Sequence, residues 1–135
     1  MRTIRDAQGC IGAWVTTAFG ERIARDAGER VLRFVEEAVE LAQACDTDPA
    51  VLHRLVDYVY WRPKGTHVQE VAGSMVTLLA IANALDVDAE SAFEVEQARI
   101  HQPEIIEKVR ARQKEKRESL VAVPLAIKGE KEDGG

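Results

Sequence analysis

The chain has 135 residues, a mass of 15.0 kDa and a net charge of −5. With 46% hydrophobic and 30% charged residues, it is neither a disordered acidic chain nor a membrane protein. The acidic balance argues against a dedicated nucleic-acid-binding surface. No apolar run reaches the roughly 18 residues of a membrane span, and the first ten residues lack the apolar core of a signal peptide. We therefore expect a cytoplasmic protein that binds neither nucleic acid nor membrane.

The composition favours helices over strands, because Ala, Glu, Leu, Val and Arg dominate and only four prolines interrupt the chain. We predict an all-α fold, a bundle of four to five helices without a strand before residue 118. Residues 1–118 are expected to form one domain. Residues 119–135 are expected to be a C-terminal segment with a partly disordered tail, since they end in a glycine-rich and charged stretch. No internal repeat is visible in the sequence.

The first two predicted helices come before residue 46. The first covers residues 11–24, with a weak point at Gly20. The second opens at Asp26 and runs to about Cys45, and Glu29 at its third position completes a capping box.

Three further helices follow. One begins at Pro49 behind the cap Asp48 and ends near residue 62, because Pro63 disfavours helix before it. The next starts from the cap Thr66 and continues to about residue 85, and the last covers about 88–116 with a possible break at Pro103.

The second helix carries the strongest functional pattern, EExxE. Glu37 and Glu40 are three residues apart on one helix face, so their carboxylates can converge on a hard divalent cation such as Mg²⁺, beside Glu36. The alternative is a solvated face with arginine–glutamate pairs, each worth a few tenths of a kcal/mol. The later apolar helix contains one acidic residue, Glu70, within a small polar stripe. That carboxylate either interacts with the helix dipole or shares the metal.

These acids resemble the EExxE and ExxD motifs of the MazG-like nucleotide pyrophosphohydrolases, a branch of the all-α NTP pyrophosphatases. The resemblance covers about residues 26–116 and implies that Glu37, Glu40 and Glu70 bind Mg²⁺, or Mn²⁺, while Glu36 or Glu37 acts on the attacking water. Gly73 stands where the family has the aspartate of ExxD. The implied reaction converts a nucleoside triphosphate into the monophosphate and pyrophosphate, and the implied assembly is a homodimer or homotetramer.

Substrate contacts are assigned from the same resemblance and from residue chemistry. The family's last helix binds the triphosphate with basic residues, which implies Lys108 and Arg112, and Arg33 lies on the acid-bearing strip. The alternative for the last helix is a solvated surface. Trp14 and Trp61 are candidates for stacking on the base, although core packing is the ordinary role of such residues. The loss of one metal ligand leaves a second hypothesis open, a MazG-like helical module without catalysis that binds nucleotides or proteins.

Overall fold

The computed structural model describes residues 3–116, which contain only helices and their connections. The described residues form seven helices: α1 (Ile4–Phe19), α2 (Glu21–Ala24), α3 (Ala27–Ala44), α4 (Pro49–Tyr60), α5 (His67–Ala84), α6 (Ala89–Ile100) and α7, which covers residues 103–116. The all-α prediction is confirmed. The predicted C-terminal segment, residues 119–135, lies outside the described residues.

Helix ends follow the capping signals in the sequence. The side chains of Asp48 and Thr66 accept hydrogen bonds from backbone N–H groups in the first turns of α4 and α5, as predicted. Gly20, with a φ of 84°, separates α1 from α2, and the predicted break before Pro103 separates α6 from α7.

One helix start and one capping box differ from the prediction. The first helix begins at Ile4 rather than at residue 11, because Thr3 and Asp6 form a reciprocal capping box. At the start of α3, Asp26 accepts a hydrogen bond from the Glu29 backbone as expected, but the Glu29 carboxylate accepts a hydrogen bond from Gln113. The second half of the predicted capping box is therefore replaced by a tertiary contact.

The chain divides into two units, and each is described by itself. Within the described residues, unit 1 comprises residues 3–33 and 98–116, and unit 2 is Phe34–Gln97. Among residues 3–116, no single helix has the length and apolar composition needed to cross a membrane. Taken together, α5 and α6 have the required length and apolar composition, but the pair is bent by 107° between the two helices.

Unit 1 is held together by hydrogen bonds between residues far apart in the sequence. Trp14 Nε1 donates to the Ile100 carbonyl at 2.7 Å, and the Trp14 ring meets Phe19 edge to face. Arg110 of α7 donates to the carbonyls of Thr17 and Ala18 in the last turn of α1, which has no basic residue of its own. Because those carbonyls lack helical partners, a guanidinium there both satisfies them and complements the helix dipole.

Unit 2 has a different character, since none of its apolar residues is buried and all of residues 34–97 are described. Helices α4, α5 and α6 make almost no close contacts with one another. α5 is apolar on nearly every side, and its large side chains are all more than a third exposed, with Val68 at 82%. A helix that is apolar all round is normally buried all round. Unit 2 therefore exposes a surface that the chain does not cover within this unit.

Two consecutive helix–turn–helix segments have the same local architecture, although no repeat was visible in the sequence. Residues 27–62 and 67–102 each contain an 18-residue helix, a four-residue turn and a 12-residue helix. Asp46 and Asp86 occupy equivalent turn positions with φ of 59° and 56°. In both turns the next N–H bonds back to an alanine carbonyl of the preceding helix, from Thr47 to Ala42 and from Val87 to Ala82. The turns are two copies of a Schellman motif.

At the two repeated turns, substitution by glycine is predicted to stabilise the protein, although glycine substitutions usually destabilise. Asp46→Gly and Asp86→Gly should each raise the free energy of unfolding, by a few tenths up to about 1 kcal/mol, because glycine removes the cost of a left-handed residue. Asp46→Ala should not raise it. Urea unfolding monitored by circular dichroism provides the measurement, and a glycine variant less stable than the alanine variant would contradict the assignment.

A second prediction concerns Asp88, the side-chain cap of α6. Hydrogen bonds from the Ser91 backbone and side chain, and from the Glu90 backbone, hold the pKa of the Asp88 carboxyl below its ordinary value. Because the folded-state pKa is the lower one, the stabilisation is present above the unfolded-state pKa and is lost as the pH falls through the folded-state pKa. The stability difference between the natural protein and Asp88→Asn should therefore shrink between pH 6 and pH 3. Asp57→Asn, in exposed α4, is the control variant. If the stability difference between the natural protein and Asp88→Asn stays the same from pH 6 to pH 3, the charged cap is not its cause.

Candidate functional site

The three acids of EExxE lie on one continuous helix, α3, and are called the acidic strip (Glu36, Glu37 and Glu40). Glu37 and Glu40 are exposed, and Glu36 is half-buried. On a regular helix, residues three apart have Cβ atoms about 5–6 Å apart, so the Glu37 and Glu40 carboxylates are near neighbours. The acidic strip can therefore offer two carboxylates to one cation, and it lies in unit 2.

Glu70 lies in the first turn of α5 and is exposed. Its carboxylate folds back over the connection between α4 and α5, so closely that a Cβ on Gly65 would overlap Glu70 Oε1. Glycine at position 65 thus makes room for this side chain. The Glu70 carboxylate is thus placed beside Gly65.

Gly73 follows Glu70 by three residues on α5. No atom lies within 4 Å of the position where its Cβ would stand, so an aspartate would fit there. The neighbouring hydroxyls do not replace the missing oxygen, because Ser74 donates to the Glu70 carbonyl at 2.8 Å and Thr77 donates to the Gly73 and Ser74 carbonyls at 3.1 Å. The polar stripe that the sequence predicts on α5 is thus bonded largely to the helix itself.

The predicted metal ligands are not assembled within one chain. Carboxylate oxygens are suitable ligands for Mg²⁺, and the pair on α3 fits that chemistry. However, in the part of the chain that the structure describes, no three His, Cys, Asp or Glu side chains form a group that could hold a metal ion. Glu70 therefore does not join Glu37 and Glu40. The residue types fit a divalent cation, but among the described residues of one chain the Glu70 carboxylate stays apart from the pair on α3.

The predicted phosphate-binding residues all belong to unit 1, whereas the acids belong to unit 2. Arg33 is largely buried, and its Nε lies 4.0 Å from the Glu29 carboxylate. Lys108 and Arg112 are exposed on α7. Lys108 and Arg112 are therefore accessible to solvent, whereas the guanidinium of Arg33 lies next to a buried acid.

A buried polar cluster in unit 1 was not anticipated from the sequence. Gln113 of α7 donates to the Glu29 carboxylate and accepts a hydrogen bond from Arg30 Nη2 at 3.3 Å, and both Glu29 and Gln113 are buried. Arg30 also stacks on the Phe19 ring at 5.0 Å. Burial lowers the pKa of the Arg30 guanidinium from its ordinary value, with the positive charge of Arg33 acting in the same direction and Glu29 in the opposite one. The cluster fixes α7 to α3.

The two candidate tryptophans have different environments. Trp14 packs on Phe19 and uses its N–H group on the Ile100 carbonyl, so it serves the packing of unit 1. Trp61 follows the last residue of α4 and is 88% exposed. Trp61 thus remains an open flat surface, whereas the Trp14 indole is already engaged.

Trp61 belongs to a short segment rich in aromatic and basic residues. We call residues 58–64 the aromatic–basic segment, after Tyr58, Tyr60, Trp61, Arg62 and Lys64. Tyr60 is 86% exposed, and the Arg62 guanidinium lies over the Tyr58 ring at 4.6 Å. The signal was present in the sequence as YVYWRPK, three aromatic residues followed by two cations, next to the amphipathic α4.

Comparison of the chain with protein-family models, with curated proteins and with solved structures found no match to any of them. The MazG-like resemblance accordingly remains a prediction that depends on the residues quoted above.

Proposed function

We propose that the protein is a Mg²⁺-dependent nucleoside triphosphate pyrophosphohydrolase that converts a (d)NTP into the (d)NMP and pyrophosphate. The observation that carries the proposal is the acidic strip, in which Glu37 and Glu40 are exposed on the same face of an uninterrupted helix. Its support from the sequence is the pairing of EExxE with Glu70 on a later apolar helix. The cytoplasm, where its substrates are dissolved, is the proposed location.

Each acid has a distinct role in this proposal. Glu37, Glu40 and Glu70 would hold Mg²⁺, with Mn²⁺ as a substitute. When bound, the ion neutralises phosphate charge and lowers the pKa of a coordinated water. Glu36, the half-buried member of the strip, holds the attacking water by a hydrogen bond and accepts its proton, with Glu37 as the alternative acceptor.

Substrate recognition uses cations and one aromatic surface. Lys108 and Arg112 are the proposed triphosphate contacts from α7, supported by their exposure and by their spacing of four residues on one helix face. Arg33 is a less accessible third contact. Trp61 is better suited than Trp14 to stack on the base, because its ring is open to solvent.

The proposed working form is a homodimer or homotetramer. The support is the exposed apolar surface of α5, since monomeric soluble proteins rarely expose contiguous apolar patches larger than a few hundred Å². A subunit interface would bury it, as in other symmetric assemblies of helices.

The alternative function is a MazG-like helical module without catalysis, acting in nucleotide binding or protein interaction. Gly73 favours it, because glycine provides no oxygen at the position of the fourth metal ligand, and the nearby hydroxyls are bonded to their own helix. Such a module would bind a nucleotide or a partner without releasing pyrophosphate.

Hydrolysis can be tested with three variants and a panel of dNTPs. With Mg²⁺ or Mn²⁺, the natural protein should release pyrophosphate. The rate of release by Glu40→Gln should be lower by about tenfold to a hundredfold, and that by Gly73→Asp should be higher, because aspartate restores a metal ligand. Glu94→Gln, which changes an exposed acid of α6, is the matched control and should be unaffected.

The melting temperature, measured together with pyrophosphate release, separates the two functions. Binding to the folded state stabilises by mass action, so Mg²⁺ plus a dNTP should raise the melting temperature of an enzyme or of a binding module. If the melting temperature rises but neither the natural protein nor Gly73→Asp releases pyrophosphate, the result favours the binding module. If neither protein releases pyrophosphate and neither melting temperature changes, the nucleotide proposal fails.

A further inference from the structure

Lysine and arginine are rare in unit 2. Residues 34–97, all of which are described, contain Arg54, Arg62 and Lys64 and no other lysine or arginine, whereas Asp and Glu are spread over the whole unit. Carboxylates repel phosphate groups, and cations attract them. Two of the three cations, Arg62 and Lys64, belong to the aromatic–basic segment. A phosphate group that binds unit 2 is therefore expected at this segment.

The side chains of Arg62 and Lys64 are available to an anion. Both are exposed, and among residues 3–116 neither forms an ion pair or a side-chain hydrogen bond. The Arg62 guanidinium lies 4.6 Å from the centre of the Tyr58 ring, a contact that restrains the side chain but uses none of its N–H donors on an acceptor. A side chain that is already restrained loses less conformational entropy when it binds a ligand.

The same segment presents a flat aromatic surface beside these cations. Trp61 directly precedes Arg62 and is 88% exposed, although tryptophan is on average highly buried in folded proteins. An open ring and two cations within four residues suit one small molecule, since a stable protein interface takes about 20–30 residues from each partner. A nucleotide has the matching parts, which are a planar base and a row of negatively charged phosphates.

We propose that the aromatic–basic segment is a nucleotide-binding site, in which Arg62 and Lys64 contact the phosphates while Trp61 stacks on the base. The inference rests on the proposed function and deepens it, because it adds two phosphate contacts from unit 2 that the resemblance does not assign. Arginine and lysine both bind phosphate oxygens by charge-assisted hydrogen bonds. Pro63 stands between the two cations, and its fixed φ restricts their movement relative to each other.

The position of the Glu70 carboxylate relates this segment to the proposed metal ion. The carboxylate lies beside Gly65, the residue that directly follows Lys64. Mg²⁺ is commonly bound through one or two carboxylates together with the phosphates of a substrate. Phosphates that are held by Arg62 and Lys64 therefore lie near one of the proposed ligands of the ion.

Isothermal titration calorimetry tests the site without any turnover. The ligand is a dNTP analogue with a methylene group between the α and β phosphates, which cannot be hydrolysed there, and Mg²⁺ is present. Arg62→Ala with Lys64→Ala should weaken binding about tenfold or more, because two charge-assisted contacts are lost. Trp61→Ala should weaken it about fivefold or more, because the base loses its stacking surface.

Inorganic triphosphate, which has the charges but no base, separates the two parts of the site. Its binding should weaken in Arg62→Ala with Lys64→Ala and stay unchanged in Trp61→Ala. The matched control is Arg5→Ala with Arg22→Ala, which removes two exposed positive charges from α1 and α2 and should bind both ligands like the natural protein. Circular dichroism checks that every variant is as helical as the natural protein.

Three results would each overturn the proposal. They are a natural protein that binds neither ligand, an Arg62→Ala, Lys64→Ala double variant that binds both like the control, and a Trp61→Ala variant that loses inorganic triphosphate as strongly as the analogue.

Pyrophosphate release from dNTPs, measured on the same samples, tests the proposed function separately. If the natural protein releases pyrophosphate and the double variant at Arg62 and Lys64 binds and releases equally well, the site is wrong and the proposed function stands. If binding depends on Arg62, Lys64 and Trp61 as expected but no pyrophosphate is released, the site stands and the proposed hydrolysis is wrong.

Discussion

The physical constraint on which unit 2 depends is that α5 is apolar on nearly every side while its side chains are exposed. This helix carries one acidic side chain, Glu70, in 18 residues, and its apolar side chains point in all directions, yet none of them is buried within residues 34–97, all of which are described. Each large apolar side chain that leaves water contributes about 1.5–3 kcal/mol, so a surface of this size represents a strong driving force for association. The exposed surface of α5 is therefore the part of unit 2 with the largest hydrophobic contribution to gain from association.

Unit 1 reaches its order by a different route. Its tertiary contacts join α7 and the end of α6 to α1 and α3 through side chains that satisfy backbone carbonyls or buried polar groups, among them Trp14, Arg110 and Gln113. Such hydrogen bonds each add only about 0.5–1.5 kcal/mol net, but leaving one partner buried and unsatisfied costs more than the bond contributes. This makes the contacts specific. It also explains why the Glu29 carboxylate accepts a hydrogen bond from Gln113 instead of completing the capping box. A side chain that is used in this way is less available for substrate, which applies to Trp14.

Much of the local structure could be predicted, because it depends on neighbouring residues. Caps at Asp48 and Thr66 and breaks at Gly20 and Pro103 follow from short-range chemistry. The missed start at Ile4 was also local, since Thr3 and Asp6 form a recognisable box. The long-range features could not be derived, because no periodicity tells that Gln113 reaches Glu29 or that Glu70 folds over Gly65. The helix that carries Glu37 and Glu40 was predictable, whereas their separation from Glu70 was not.

The repeated helix–turn–helix architecture gives a physical reason for the distribution of polar residues. Positions 36, 37 and 40 of the first segment are equivalent to positions 76, 77 and 80 of the second, which hold Val76, Thr77 and Ala80. The turns that join the helices are the same. In each of them an aspartate adopts the left-handed backbone conformation that the turn requires. What differs is the face of the long helix, acidic and suited to water or a cation in α3, apolar and suited to burial in α5. Two similar backbones therefore have different solvent requirements, and an assembly that buries α5 while leaving the acidic strip accessible would satisfy both of them.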